Sequence, residues 1–262
     1  MENKLAYIHQ GSGIPILLLH GFCERKEIWN DFIPILSKEA QVIAPDLPGF
    51  GENPTITQEI TIDSVAEEVA EFLKSIKVQR AIIVGHSLGG YVSLALADLY
   101  PHLCKGLCLF HSTAKADSGE KKANRDKAAA FLEKNGTETF AQNFVPSLFA
   151  SVNHQKMAAQ IAVMKQIVAD THKDTAVAYT KAMRDRPERL NVLEKAVFPC
   201  LFIAGKDDQA VPYDDMLQQS KLPRGNSELV SLENCGHMGM YEQKKESIEA
   251  LINFIKTVKS KP

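Results

Sequence analysis

Short apolar runs alternate along this chain with longer amphipathic stretches, and no other feature narrows its folding options as far. Ile14–Leu19, Gln41–Pro45, Ala81–Gly85, Lys105–Phe110, Cys200–Ala204 and Glu228–Leu232 are nearly all rich in Val, Ile or Leu and are bounded by Gly, Pro, Asp or His. Such continuous runs suit strands buried on both faces, as in parallel sheets covered by helices. Between two of them, Ile62, Val65, Ala66, Val69, Phe72, Leu73 and Ile76 fall at offsets 0, 3, 4, 7, 10, 11 and 14, one stripe of a helix that begins after Thr61. A second helix is expected from Leu88 to about Leu99, ending before Pro101, and a third from about Tyr241 to Val258. Lys4 to Gln10 reads as an antiparallel edge strand turning at Gly11-Ser12-Gly13. Alternation of this kind predicts an α/β fold with a mostly parallel, doubly wound sheet.

The rhythm breaks between Thr113 and Lys195, where helix formers dominate and no strand-like run intervenes. A prior of about 150 residues per domain leaves a 262-residue chain room for one large domain with an insertion. The division expected is therefore a core of residues 1–112 and 196–262 and a helical cap of residues 113–195. Glu120–Lys134, Thr137–Phe149, His154–Ala169 and Thr175–Arg184 are its expected helices, punctuated by Gly136, Pro146 and Pro187. The insertion holds 14 Lys and Arg against 10 Asp and Glu, a local +4, while the remainder carries −6. A solvated helical face explains that excess more simply than an anionic substrate does.

The whole-chain charge of −2 supplies no field for a phosphate backbone or an anionic membrane, so neither nucleic acid nor membrane is an expected partner. The longest near-continuous apolar run, Ile14–Leu19, falls far short of the roughly 20 residues that cross a bilayer. The first residues lack the basic start and apolar segment of a signal peptide, which favours a cytoplasmic protein. Five cysteines (Cys23, Cys104, Cys108, Cys200 and Cys235), odd in number and without CxxC or zinc spacing, read as buried reduced thiols.

Chemistry concentrates in Gly85-His86-Ser87-Leu88-Gly89-Gly90, where the strand at 81–85 hands over to the helix at Leu88. With 15 Gly and 15 Ser in the chain, G-x-S-x-G arises by chance in roughly one such chain in twenty, so its place between strand and helix is the deciding check. A turn this tight leaves no room for side chains at 85 and 89 and lifts Ser87 beyond the strand's carboxyl end. A serine hydroxyl is a weak nucleophile that needs a base, normally a histidine oriented by a carboxylate. Both types occur in loops that follow later strands: Gly205-Lys206-Asp207-Asp208-Gln209-Ala210-Val211-Pro212, and Cys235-Gly236-His237-Met238. Asp207 competes with Asp208 for the acid role should the loop sit one residue out of register.

With these motifs the chain resembles the α/β-hydrolase superfamily with a helical cap, over essentially its whole length. His20-Gly21-Phe22 matches the family's HG oxyanion loop, and Asp46-Leu47-Pro48-Gly49-Phe50-Gly51 its D-x-P-G-x-G turn. Ser87 falls at the nucleophile elbow, Asp208 at the acid site and His237 at the C-terminal histidine, in the family's order. The resemblance implies that Ser87 attacks, His237 acts as base and then acid, Asp208 orients the imidazole, and the backbone N–H groups of Phe22 and Leu88 hold the oxyanion. A serine in place of aspartate disfavours the epoxide hydrolase and haloalkane dehalogenase branches. Ala114-Lys115-Ala116-Asp117-Ser118 and Asn124-Arg125 resemble the enol-lactonase, esterase and cofactor-free haloperoxidase-like group. The expected activity is hydrolysis of a carboxylic ester, lactone or thioester. C–C bond hydrolysis, perhydrolysis and a slow-turnover receptor on the same fold remain alternatives.

Plainer roles suit several neighbours. Asp46 reads as a structural turn residue, and His20 as buried and hydrogen-bonded near the oxyanion loop. His86 reads as a pocket or packing residue, and Cys23 and Cys235 as packing thiols. No HExxH, HxH or phosphate-loop motif calls for a metal or cofactor, so none is expected. The cap's Phe131, Phe140, Phe144, Phe149, Met157, Met164 and Met183 fill its own core, with one or two left to line an apolar pocket. Phe22, His86 and Met238 are the expected substrate contacts, for a small to medium apolar ester or lactone bound by a monomer or homodimer.

Overall fold

The computed structural model describes residues 5–53 and 59–260. Its strands are β1 (Tyr7–Gln10), β2 (Pro15–Leu19), β3 (Gln41–Pro45), β4 (Ala81–His86), β5 (Cys104–Phe110), β6 (Cys200–Gly205) and β7 (Ser227–Leu232). They form one sheet in the order β1-β3-β2-β4-β5-β6-β7. β1 pairs antiparallel with β3 and every other pairing is parallel. The expected edge strand is present from Tyr7, while Lys4 lies outside the described residues. β4 and β6 are buried along their full length, as unbroken apolar runs require.

Helices α1 (Ile33–Leu36), α2 (Ile62–Ser75) and α3 (Leu88–Leu99) follow in the first half. α2 starts where its stripe begins because Thr61 and Ser64 form a reciprocal capping box, each side-chain oxygen accepting from the other's backbone N–H at 3.0 Å. Ile62, Val65, Ala66, Val69, Phe72 and Leu73 are all buried. α3 is buried continuously from Leu88 to Ala97.

Between β5 and β6 come α4 (Gly119–Ser147), α5 (Ala158–Asp170), α6 (Lys173–Asp185) and α7 (Leu190–Lys195). The two helices expected over 120–134 and 137–149 meet within α4 as the sequence suggests: Gly136, with φ 75° and ψ 174°, leaves helical geometry between them in a conformation costly to any residue with a Cβ. The helix expected from His154 begins only at Ala158, and the short α7 was not foreseen. Tyr179 of α6 donates its hydroxyl to the Pro48 carbonyl at 2.7 Å and packs its ring 4.6 Å from that of Phe50. Arg189 reaches Asp63 at 2.6 Å and Asp98 at 3.3 Å, and Lys115 reaches Asp215 at 2.6 Å. Part of the positive excess between β5 and β6 is thus spent on acids of the sheet-bearing half.

The chain closes with α8 (Tyr213–Gln219), α9 (Gly239–Glu242) and α10 (Lys244–Lys259). The single helix expected from Tyr241 to Val258 is divided at Gln243 (φ −133°, ψ 53°), whose side chain donates to the Glu233 carbonyl at 2.7 Å. No helix of the described residues is long and apolar enough to cross a membrane.

Candidate active site

Strand register brings the chemistry together. Leu19 lies opposite Gly85, His86 opposite Phe110, Phe110 opposite Ile203, and Gly205 opposite Leu232. The loops that leave these ends, at 20–24, 87, 111, 206–208 and 235–237, therefore open on one edge of the sheet. β4 stands beside β2, where chain order along the sheet reverses, the position at which open α/β sheets bind ligands.

Ser87 stands between β4 and α3 with φ 50° and ψ −113°, a strained left-handed conformation for a residue with a side chain. The turn is held by its neighbours: Ser87 N–H donates to the Phe110 carbonyl at 3.0 Å, and the Ser112 hydroxyl donates to the Ser87 carbonyl at 2.7 Å. A Cβ at Gly85 would come within 2.2 Å of the Gly89 carbonyl oxygen, and one at Gly89 within 2.4 Å of the Leu19 carbonyl oxygen. Only glycine lets β4, α3 and β2 approach this closely. As the first residue of α3, Leu88 has a backbone N–H with no acceptor inside the helix.

His237 donates from Nδ1 to Asp208 Oδ2 at 2.8 Å, which leaves Nε2 for proton transfer. Its ring centroid is 5.0 Å from that of His86, the residue before Ser87. Asp208 accepts further bonds on Oδ1 from the Ala210 and Val211 N–H groups at 2.8 and 2.9 Å, and on Oδ2 from His111 Nδ1 at 3.0 Å. Burial pushes this carboxyl's pKa up, but the His237 ring and the bonds from both histidines outweigh it and hold the group well below the usual carboxylate range. Asp207, the competing acid, is exposed and meets the histidine loop through its backbone, its N–H donating to the Cys235 carbonyl at 2.9 Å.

Residues 14–244 match the family described by the alpha/beta hydrolase fold. The chain belongs to that family. Among its relatives, the 2-hydroxy-6-oxo-6-(2'-aminophenyl)hexa-2,4-dienoic acid hydrolase of Metapseudomonas resinovorans is 25% identical across 95% of this chain and 86% of its own length. The dihydrolipoyllysine-residue acetyltransferase component of the acetoin cleaving system of Pseudomonas putida is 28% identical over 93% of this chain, which spans 64% of that protein. A thermophilic esterase from Thermogutta terrifontis, solved with malate bound, superposes with a TM-score of 0.91 at 27% identity, covering 97% of this chain and 93% of that one.

Around the hydrolase's strand ends, buried polar groups carry assignable protons. His86 is expected from sequence to touch substrate, and the structure corrects this. It is fully buried, its Nδ1 faces Glu24 Oε2 at 2.9 Å and its Nε2 faces the His237 carbonyl at 3.0 Å. Both partners accept, since Gly21 N–H also donates to Glu24 Oε2 at 2.5 Å, so both ring nitrogens carry protons and none is left for a ligand. The pKa directions agree. Burial pulls His86 down, yet the Glu24 charge and hydrogen bond raise it; burial pushes Glu24 up, yet His86 lowers it. The pair ties the Gly21–Glu24 loop to the His237 loop through the residue before Ser87. His20 is the opposite case: its Nε2 accepts from Leu47 N–H at 2.9 Å and its Nδ1 donates to the Gly21 carbonyl at 2.9 Å, a neutral ring that burial keeps below its ordinary pKa.

Glu242 of α9, buried, gathers the other side. Its Oε1 accepts from Gly236 N–H at 2.9 Å, and its Oε2 accepts from Ala150 N–H and Asn153 Nδ2, both at 2.8 Å. Together with the bond from His237 N–H to the Leu148 carbonyl at 2.7 Å, this fastens the histidine loop to the segment after α4. Asp46 behaves as a turn residue, bound to Lys26 Nζ at 2.7 Å and to the Glu52 N–H at 2.9 Å. All five cysteines are buried and free, and burial raises the thiols of Cys23 and Cys235.

Phe22 packs edge-on against Phe140 and Phe144, with centroids 6.4 and 5.8 Å away. Met238 is fully buried behind His237 in sequence, where its backbone N–H lies 3.4 Å from Glu242 Oε1. A cavity of about 510 Å³ separates the Phe144–Ser151 stretch from Asp207, Gln209 and Ala210, and another of about 360 Å³ is lined by Phe131, Phe140, Phe144 and Lys127. A larger one, of about 970 Å³, is at the far end of the sheet among Lys74, Lys77, Arg80 and Tyr100, away from this chemistry. Among the described residues, His111, Asp208 and His237 are the one group whose donor atoms cluster as metal ligands would. Those atoms already hydrogen-bond one another. His111, Glu24 and Glu242 were not foreseen. A histidine one residue beyond a buried strand was the available signal for the first, and no local pattern marks the two glutamates.

Proposed function

We propose that this protein is a serine hydrolase that cleaves a carboxylic ester, lactone or thioester through a Ser87 acyl-enzyme. The observation that carries the reading is the buried Asp208–His237 bond at 2.8 Å, with the His237 ring 5.0 Å from that of His86, the residue before a strained serine at a strand-to-helix turn. Ser87 Oγ attacks the carbonyl carbon as His237 Nε2 takes its proton, and Asp208 stabilises the imidazolium that forms. The backbone N–H groups of Phe22 and Leu88 receive the developing oxyanion, with α3's N-terminus adding its partial positive charge. His237 then returns the proton to the leaving oxygen or sulfur, and water repeats the cycle to release the acid. The rings of Phe22, Phe140 and Phe144 favour an apolar acyl group, and residues 113–195 act as the lid over it.

Ser87→Ala is expected to lower p-nitrophenyl butyrate turnover by about four to six orders of magnitude and to abolish fluorophosphonate labelling. Retained turnover would remove the proposal. The likeness to the Metapseudomonas enzyme favours one second reading, C–C hydrolysis of a vinylogous keto acid by the same three residues. Fast cleavage of such a substrate with poor turnover of every simple ester would select it.

A further inference from the structure

His111 has no part in the acyl-transfer scheme, yet it is fully buried against the acid on which that scheme depends. Its Nδ1 lies 3.0 Å from Asp208 Oδ2, the same oxygen that receives His237 Nδ1 at 2.8 Å. A carboxylate only accepts, so His111 Nδ1 bears the ring's proton; the Gly205 N–H, 3.4 Å from that nitrogen, is too distant to compete. Burial brings the His111 pKa down to about 4 against the pull of Asp208, so the ring is neutral and its Nε2 is a bare acceptor. Among the described residues that nitrogen has no hydrogen-bond partner. An unsatisfied buried polar atom is a cost a fold normally avoids, and a second cost accompanies it: His111 has a positive φ of 49°. Gly239 completes the arrangement, because a Cβ there would come within 2.4 Å of His111 Nε2. One edge of the ring is therefore spent on Asp208, and the other carries a bare nitrogen against which only a glycine can pack.

Resting on the serine-hydrolase reading, we propose that His111 is a positioning residue for Asp208, a fixed second donor that shares Oδ2 with His237. It does two things. It pins the carboxylate against rotation, so that the His237 ring is presented in one orientation. It also draws off part of the charge on Oδ2, so that the imidazolium formed in the reaction is stabilised no more than catalysis needs. The other titratable groups around this cluster are His86 at the end of β4 with Glu24 behind it, Asp207 and Cys235 on the two loops, and Glu242 on α9. None of them donates to Asp208 Oδ2.

The test compares three variants in the full chain. In His111→Asn the amide nitrogen occupies the place of Nδ1 and keeps the donor; in His111→Gln the amide is displaced to the place of Nε2; His111→Leu has no donor. Leucine tolerates the positive φ poorly, so should that variant not fold, the Gln–Asn comparison decides alone. Plateau kcat/KM is expected to fall about 10- to 100-fold in Gln and Leu, as for other groups that orient a reacting histidine, and less than about threefold in Asn. The acidic limb of the kcat/KM profile should move to higher pH by about half a unit in Gln and Leu and stay in place in Asn, since Oδ2 then concentrates its charge on His237. A merely structural role would lower activity or stability and leave the limb where it was. Equal limbs in all three variants would overturn the proposal. Fluorophosphonate labelling of the same samples keeps the outcomes apart: label on Ser87 with unmoved limbs ends the role of His111 alone, while no label on the unsubstituted protein ends the serine-hydrolase reading.

Discussion

Glu24–His86 and Asp208–His237 are the same chemical pair at nearly the same separation, 2.9 and 2.8 Å, both buried and both at the carboxyl edge of one sheet. What separates them is the second ring nitrogen. In His86 it is consumed by the His237 carbonyl, so the ring is a doubly protonated strut with nothing left to exchange. In His237 it has no such commitment among the described residues, and the carboxylate behind it is held by four donors. A histidine becomes a base by what its far nitrogen lacks, given a near nitrogen that is firmly held.

Three substitutions sharpen that contrast. Asp208→Asn should lower kcat by about four orders of magnitude while the protein keeps its fold, because the amide presents the wrong partner to Nδ1. An effect of tenfold or less would place Asp208 with Glu24, as structure. Glu24→Gln should act on stability first, by about 1–3 kcal/mol, or about 2–4 °C of melting temperature for each kcal/mol. The effect has a pH window. Glu24 in the folded protein lies below its ordinary value of 4.5, so its contribution is present above that pH and is lost as pH falls through the lowered value. His86 lies above its ordinary 6.5, so its contribution is complete below that pH and is lost as pH rises through the raised value. The melting-temperature gap between the unsubstituted protein and Glu24→Gln is thus widest between pH 4.5 and 6.5 and narrows on both sides. A gap that does not vary with pH would mean that the pair is uncharged. The smallest effect belongs to Asp207→Asn, within about threefold in kcat/KM, as expected for an exposed side chain. The reverse ranking of Asp207 and Asp208 would undo the comparison altogether.

Much of this fold is written locally. Gln41–Pro45, the α2 stripe after Thr61 and α3 from Leu88 to Leu99 match their expected bounds because periodicity, a capping box and a following proline act within a few residues. Gly136 marks in the sequence the point where α4 leaves helical geometry, whereas the break at Gln243 has no such mark, since the division before α10 follows from what α9 must grip. Between β5 and β6 the helical periodicity was legible, but not the partners: Arg189 meets Asp63, 126 residues away, and no sequence pattern records that.

The sequence by itself determined the sheet, the elbow at Ser87 and the loops from which Asp208 and His237 come, because strand burial and a turn too tight for side chains are enforced by neighbours along the chain. Only the tertiary structure decided which acceptors each buried histidine meets. His86 and Glu24 are 62 residues apart, and His111 and Asp208 are 97 apart. The protonation of a buried ring is set by the acceptors it meets in space, and those meetings exist only once the register of β2, β4, β5 and β6 has brought the strand ends to one edge.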